Sequence, residues 1–173
     1  FGYGVWVFAA FRHVVVEENT VTDCYVGLMA AGQFSGSPTF IENTVDNQLH
    51  ADSYGVYVST SLFGFGSANV HATFTNNFIH NSVNLWETDT QATYTAGVTA
   101  TNNSFAGNSN GMTITGAGTP IVNASANWWD SNVPATVNTA SNGGVLVDYT
   151  PWLDVSTDTS GNPGFQGSFA TLW

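Results

Sequence analysis

The sequence has almost no positive charge. Among its 173 residues, one basic side chain, Arg12, stands against 12 acidic ones, and the formal net charge is −11 at pH 7. Proteins that bind nucleic acid or anionic membranes need Lys and Arg side chains to neutralise phosphates. The composition therefore argues against nucleic acid as a partner, whereas divalent cations remain compatible with it.

Cysteine, charge and long apolar runs are also scarce. Cys24 is the single cysteine, so no internal disulfide exists and a buried, inert thiol is the favoured interpretation. No apolar run approaches the roughly 18 to 20 residues of a membrane span. Only 8% of residues are charged, so the surface is mostly Ser, Thr, Asn and Gly. We expect a secreted or cell-surface protein, and the start at Phe1 rather than methionine suggests a processed product or a module of a longer chain.

What the sequence does contain is a repeat marked by asparagine. Five similar segments place this residue at Asn19, Asn43, Asn77, Asn103 and Asn127, at spacings of 24, 34, 26 and 24 residues. A second mark, a glycine followed by alternating apolar residues, begins at Gly4, Gly27, Gly55 and Gly111, while Asn84-Leu85-Trp86 fills the remaining slot. Periods of this size indicate stacked units that bury a core only together.

The apolar residues of each unit alternate with a period of two, as half-buried strands require. No helical periodicity of useful length appears. The pattern predicts an all-β solenoid of about five coils over residues 1–133, closed by an irregular tail over 134–173. The asparagines then form a turn ladder, because Asn tolerates the left-handed conformation and stacked amides hydrogen-bond along the column.

One insertion accounts for the 34-residue step. Residues 61–67, Ser-Leu-Phe-Gly-Phe-Gly-Ser, lie between a strand and the next asparagine mark. The favoured interpretation is that the phenylalanines fold back over the edge of the coil. The alternative is an exposed apolar patch that contacts a partner or a glycan.

The repeat resembles a known family. Asn-x-Val/Ile/Phe-x-x-Asn followed by Gly-Val/Met-x-Val/Ile is similar to the right-handed parallel β-helix of the pectate-lyase-like superfamily. The segments Asn127-Trp128-Trp129 and Val147-Asp148-Tyr149-Thr150-Pro151-Trp152-Leu153 resemble the closure of bacterial secreted members, with Asp130 in place of a glycine. The resemblance covers about residues 4–153 and implies the fold. It does not imply one function, since such proteins include lyases, hydrolases, adhesins and passive surface proteins.

Catalysis has little support in the residues. Lyases of this fold use a basic residue against a uronate, and Arg12 is the only strong base. Glycoside hydrolysis needs two nearby carboxylates, and stacking would align Glu18 with Glu42, or Asp23 with Asp46. We favour a surface turn column for these residues and expect no enzyme activity.

Metal and cofactor binding are not predicted. Asp52, Glu87 and Asp89 form a weak candidate cluster of oxygen ligands for Ca²⁺. The four histidines lack the spacings of metal sites; they are His13, His50, His71 and His80. Two sequons, at Asn102 and Asn123, are possible glycosylation sites.

Two functions remain open, besides a capped fragment of a longer enzyme. The first is a structural or adhesive module that assembles end to end into surface fibres, because an uncapped stack offers unpaired strand edges. The residues expected at the two ends are Phe1, Tyr3, Trp6, Phe8, Phe165, Phe169 and Trp173. The second is a carbohydrate-binding or carbohydrate-active β-helix. Its sugar-stacking aromatics would be Tyr25, Tyr57, Trp86 and Tyr94, although the favoured interpretation is that these rings face the core.

Overall fold

A computed structural model describes residues 2–170 and 172–173, and shows a parallel β-solenoid of about 6 turns. In chain order the strands are β1 (Tyr3–Phe8), β2 (Val15–Glu17), β3 (Thr20–Thr22), β4 (Val26–Ala31), β5 (Thr39–Ile41), β6 (Thr44–Asp46), β7 (Tyr54–Ser59), β8 (Val70–Thr75), β9 (Phe78–Ile79), β10 (Asn84–Thr90), β11 (Thr95–Thr101), β12 (Asn110–Gly116), β13 (Thr119–Asn123) and β14 (Val147–Asp148). The predicted all-β solenoid is confirmed.

The strands form three parallel sheets that run along the stack. Sheet A has the order β1-β4-β7-β10-β12, sheet B has β14-β13-β11-β8-β5-β2, and sheet C has β3-β6-β9. Isolated bridges from Phe78 to Ser104 and from Ser104 to Trp128 continue the row of sheet C. The turn count exceeds the predicted five because β1 precedes the first asparagine mark and β14 adds a strand from the tail.

The core lies between the sheets and is filled by stacked side chains. The rings of Phe40 and Phe74 are parallel with centroids 4.6 Å apart, and Trp86 meets Phe74 edge to face at 4.6 Å. Phe105 and Trp129 continue the column, 5.0 Å apart. The turns from β5 onward thus contribute aromatic rings to one continuous column, which a single short unit cannot bury by itself.

The asparagine ladder is the polar counterpart of this core. The side-chain oxygen of Asn77 accepts from the backbone N–H and the side-chain amide of Asn43, at 2.9 and 3.0 Å. Asn103 does the same for Asn77, and Asn127 for Asn103. All members except the terminal Asn19 are fully buried. The ladder therefore satisfies backbone groups at a turn inside the stack, where water does not reach.

The left-handed backbone conformation falls one residue before each ladder asparagine, and not on it as predicted. The φ angles are between 55° and 58° at the five preceding residues, which are Glu18, Glu42, Asn76, Asn102 and Ala126. The ladder side chain is thereby turned inward. The glycine mark has a separate cause, since a Cβ on Gly27 would lie 2.3 Å from a methyl group of Val45 in sheet C.

The tail covers the carboxyl end of the stack with a helix that the sequence analysis did not predict. Helix α1 (Pro134–Ala140) follows the last row of sheet C and buries Val137 completely. The backbone of Ala140 lies against Gly111 of β12. Seven residues are too short for a recognisable helical period, and the local signal that was missed is Pro134 at the start of the helix. Helix α1 occupies the place where a sixth strand of sheet A would lie.

Candidate functional site

The outer face of sheet A carries aromatic side chains on strands β1 and β7, and Tyr25 lies just before β4 between them. The strand register places Trp6, Met29, Tyr57 and Glu87 in one row across β1, β4, β7 and β10. A neighbouring row contains Tyr3, Val26 and Tyr54. Val26 and Met29 pack with Tyr25, Tyr54 and Tyr57 in a cluster that is separate from the main core, so both rows lie on the outer side of the sheet. Aromatic and apolar side chains on this outer face do not contribute to packing of the main core, so their presence there is compatible with ligand binding.

These rows enclose a cleft of about 310 Å³. Val26 and Met29 lie at its floor and are almost completely buried, although they belong to the outward rows. The walls are formed by four tyrosines, by Phe63 and by Glu87; the tyrosines are Tyr3, Tyr25, Tyr54 and Tyr57. The tyrosines are partly exposed, so their rings are open to a ligand from solvent. An apolar floor with amphipathic walls is typical of small-ligand and glycan sites.

The aromatic rings hold one another in place. Tyr3 meets Tyr25 edge to face with centroids 6.3 Å apart, and Tyr54 meets Tyr57 in the same way at 5.5 Å. Trp6 lies 5.3 Å from Tyr3. Mutual packing restricts the rotamers of these side chains, and a ligand therefore meets a surface that is already ordered.

One end of the cleft is bordered by residues 61–67, which we call the flap. A bridge between Ser61 and Ser67 closes this loop. Phe63 packs edge to face on Trp6 at 5.6 Å, and Phe65 lies 6.2 Å from Phe8. The phenylalanines thus fold back onto the coil as the favoured interpretation held, yet Phe65 is still 81% exposed. The insertion that breaks the repeat period builds one wall of the cleft.

Carboxylates lie at the opposite end. The Thr115 hydroxyl donates to Glu87 Oε1 at 2.8 Å, and Asp89 accepts from the Ser59 hydroxyl at 3.3 Å. Burial raises the pKa of Tyr54, and the hydrogen bond and negative charge of Glu87 raise it further. Burial also raises the pKa of Tyr57, with smaller contributions from Asp89 and Glu87. Both phenols therefore keep their protons in neutral and mildly alkaline solution, as hydrogen-bonding hydroxyl groups at the cleft.

Sequence reasoning identified part of this site. Of the four aromatics proposed for sugar stacking, Tyr25 and Tyr57 line the cleft. Trp86 is fully buried in the core, where its indole N–H donates to the Thr88 hydroxyl at 3.0 Å. Tyr94 lies at a separate depression beside His71. Orientation toward the core, the favoured interpretation for these aromatics, is confirmed for Trp86 and wrong for Tyr25 and Tyr57.

The acidic candidates do not assemble as predicted. Across residues 2–170 and 172–173, no three His, Cys, Asp or Glu side chains come together as a metal site, so Asp52, Glu87 and Asp89 form no calcium cluster. Glu18 and Glu42 are stacked neighbours, as expected, in the column of left-handed turn residues. Asp46 pairs with Thr22 rather than with Asp23. The Asp23–Asp46 alignment was therefore one residue out of register.

The predicted end residues are distributed differently. Phe1 lies outside the described residues, and Tyr3, Trp6 and Phe8 belong to the outer face of sheet A. Phe165 is fully buried on the side of the solenoid, with its ring centroid 5.6 Å from that of Phe78. Its backbone N–H donates to the Asn76 carbonyl, which holds this part of the tail against the turns. Phe169 and Trp173 are exposed, and the Trp173 indole donates to Asp154 at 2.6 Å.

The two sequons also differ. The Asn102 side chain is tied between Asn76, to which it donates at 2.7 Å, and the backbone N–H of Gly167, from which it accepts at 3.0 Å. Asn123 is exposed and its oxygen accepts only from Ser125, two residues on. In the folded chain, Asn123 is the more accessible attachment site.

Comparisons with family models, curated proteins and solved structures returned no match for this chain. The resemblance to the pectate-lyase-like superfamily therefore rests on the repeat and on the parallel solenoid. Within the described part of the chain, no helix is long and apolar enough to cross a membrane.

Proposed function

We propose that this chain is a non-catalytic, extracellular adhesive module that binds a carbohydrate in the aromatic cleft of sheet A. The observation that carries the proposal is the group of four tyrosines around the apolar floor of Val26 and Met29. Sugar rings present apolar C–H faces and hydroxyl edges, which match aromatic faces and phenol groups. The parallel stack adds a reason for an extended ligand, because neighbouring turns repeat at about 4.8 Å.

The composition supports a location outside the cell. Few charged side chains and many Ser, Thr and Asn residues give a neutral polar surface. Adhesion through a glycan also needs no catalytic group. A hydrolytic activity, if it were measured, would be assigned to Glu87 and Asp89, the carboxylates that project from the outer face of β10.

The test is binding of a panel of defined oligosaccharides, measured by isothermal titration calorimetry. Removal of a wall ring in Tyr57→Ala should weaken binding roughly tenfold or more, the equivalent of about 1.4 kcal/mol. Tyr94→Ala is the matched control, since that ring lies outside the cleft. Equal losses in both variants, or no binding of any glycan by the wild type, would contradict the proposal. Release of reducing ends during incubation would contradict the non-catalytic part.

End-to-end assembly is a second candidate function, and one observation favours it. In sheets A, B and C the strands β1, β2 and β3 are each the outermost strand at the amino-terminal end. Outermost strands offer backbone N–H and C=O groups to another chain. At the carboxyl-terminal end, α1 covers sheet A. A contact between the amino-terminal end of one copy and the carboxyl-terminal end of another would therefore involve sheets B and C, together with the exposed Phe169 and Trp173.

A further inference from the structure

The cleft combines aromatic walls with a carboxylate; among the described residues no Lys or Arg side chain lines it, and the ring of His50 lies 5.9 Å from that of the wall residue Tyr25. Glu87 lines the cleft beside Tyr54 and Tyr57. Its contacts are to hydroxyl groups, those of Thr115 and Tyr54, and neither supplies a positive charge. The single strong base of the sequence, Arg12, lies against Gly36, in the connection between sheets A and B, and does not line the cleft.

The surroundings extend this negative potential. Asp89 follows Glu87 on the same face of β10, and its charge acts on Tyr57. Asp52 and Glu87 act in the same sense on Tyr54. Charges of one sign at a partly enclosed surface concentrate ligands of the opposite sign. An anionic glycan, such as a uronate or a sulfated sugar, would be repelled here.

Aromatic faces reinforce a preference for cations. A ring attracts an ammonium group placed over its face within about 6 Å of the centroid, most strongly where water is excluded. The cleft offers Tyr25, Tyr54 and Tyr57 around one carboxylate. A neutral sugar would use the ring faces but would bring no positive charge to Glu87, whose contacts with Thr115 and Tyr54 are to neutral hydroxyl groups.

We propose that the cleft selects an oligosaccharide of amino sugars whose amines are free and protonated, with Glu87 receiving an ammonium group and the tyrosines receiving the sugar faces. This inference rests on the proposed glycan binding and names its substrate class. N-acetylation of the same sugar removes the positive charge and leaves the ring almost unchanged. The two forms therefore separate charge recognition from stacking.

The experiment compares a glucosamine hexamer with an N-acetylglucosamine hexamer by calorimetry at about pH 6, where amines are protonated and carboxylates are ionised. We expect the free amine form to bind at least about tenfold more tightly, because hydrogen bonds between charged groups are the stronger ones. Glu87→Gln should remove this preference while the thermal unfolding midpoint stays close to that of the wild type.

A control addresses general attraction between an acidic protein and a polycation. Glu17→Gln makes the same charge change at an exposed position of sheet B, and it should leave both affinities unchanged. Equal losses in Glu17→Gln and Glu87→Gln would overturn the inference. Equal binding of the two hexamers would overturn it too but would leave the proposed glycan binding intact. If neither hexamer nor any other glycan binds, both proposals fail.

Discussion

At the residue scale, the asparagine ladder shows how one side chain satisfies several buried groups. The amide of Asn77 donates to the carbonyls of Phe40 and Thr75, both at 3.0 Å, and to Asn103 at 2.9 Å. Its oxygen receives two hydrogen bonds from Asn43. An aspartate would supply the oxygen without the donors, and a serine would not reach. The repeat therefore keeps asparagine for its two-sided chemistry and not for a left-handed backbone.

Substitution in the middle of the ladder should be costly. Asn77→Ala leaves buried donors and acceptors unsatisfied in two adjacent turns, and we expect a loss of about 3 kcal/mol or more in the free energy of unfolding. The measurement is urea unfolding followed by circular dichroism. Asn19→Ala is the control, because Asn19 is exposed at the end of the ladder and water replaces its partners. Similar losses at both positions would show that burial does not set the cost.

At the element scale, the flap and helix α1 are two elements that depart from the repeat, and they pack on opposite sides of the sheets. The flap interrupts the repeat between β7 and β8 and packs Phe63 and Phe65 on the outside of sheet A. Helix α1 ends the repeat and packs Val137 on the inside. Neither element belongs to the repeat. The flap contacts β1, which is distant in sequence, and helix α1 contacts β12 at the end of the stack. The repeat period alone therefore does not predict either one.

The cap can be tested with two substitutions in and beside one helix. Val137→Asp places a carboxylate in a fully buried site and should cost at least about 3 kcal/mol of stability. Val133→Asp should be neutral or stabilise by about 0.5 to 1 kcal/mol, because Val133 is the N-cap residue and its side chain makes no capping hydrogen bond. Thermal unfolding of both variants gives the comparison. Equal destabilisation would mean that α1 does not close the core.

At the scale of the whole molecule, the two ends of the solenoid are unlike. Among the described residues, β1, β2 and β3 are the outermost strands at the amino-terminal end, whereas α1 and the tail lie over the carboxyl end. Along the side, residues 163–167 hold several turns together through Asn76 and Asn102. The molecule is therefore polar along its axis, and an end contact between unlike ends would build a chain of copies.

The assembly proposal gives a mass prediction. Mass photometry over a dilution series should show multiples of 18.3 kDa, and negative-stain electron microscopy should show fibres of one solenoid width. Trp173→Asp should reduce assembly at least about tenfold, since Trp173 is exposed at the carboxyl end and a charge there disfavours apolar contact. Asp introduced at Ile121, which is exposed on the side of sheet B, is the control. Monomers at every concentration would contradict the proposal.

The repeat in the amino-acid sequence is sufficient to predict the stack. The asparagine and glycine marks, with a period near that of one turn, specify short parallel strands with alternating facing, and the buried ladder followed directly from that pattern. These features are local and recur in each unit, because every turn must bury the same face of its strands and satisfy the same backbone groups. The sequence left the facing of the third coil around Trp86 open, because the glycine mark is missing there and a shift of one residue exchanges the core and solvent faces.

The candidate site, in contrast, depends on how the turns pack against one another. Tyr3, Tyr25, Tyr54 and Glu87 come from four different turns, and no spacing in the sequence singles them out. They meet because the register between neighbouring turns aligns outward side chains and because the flap folds back over the first strand. Outward side chains do not have to fit the core, so the repeat pattern does not specify which residues occupy these positions. Their alignment is a property of the packed turns.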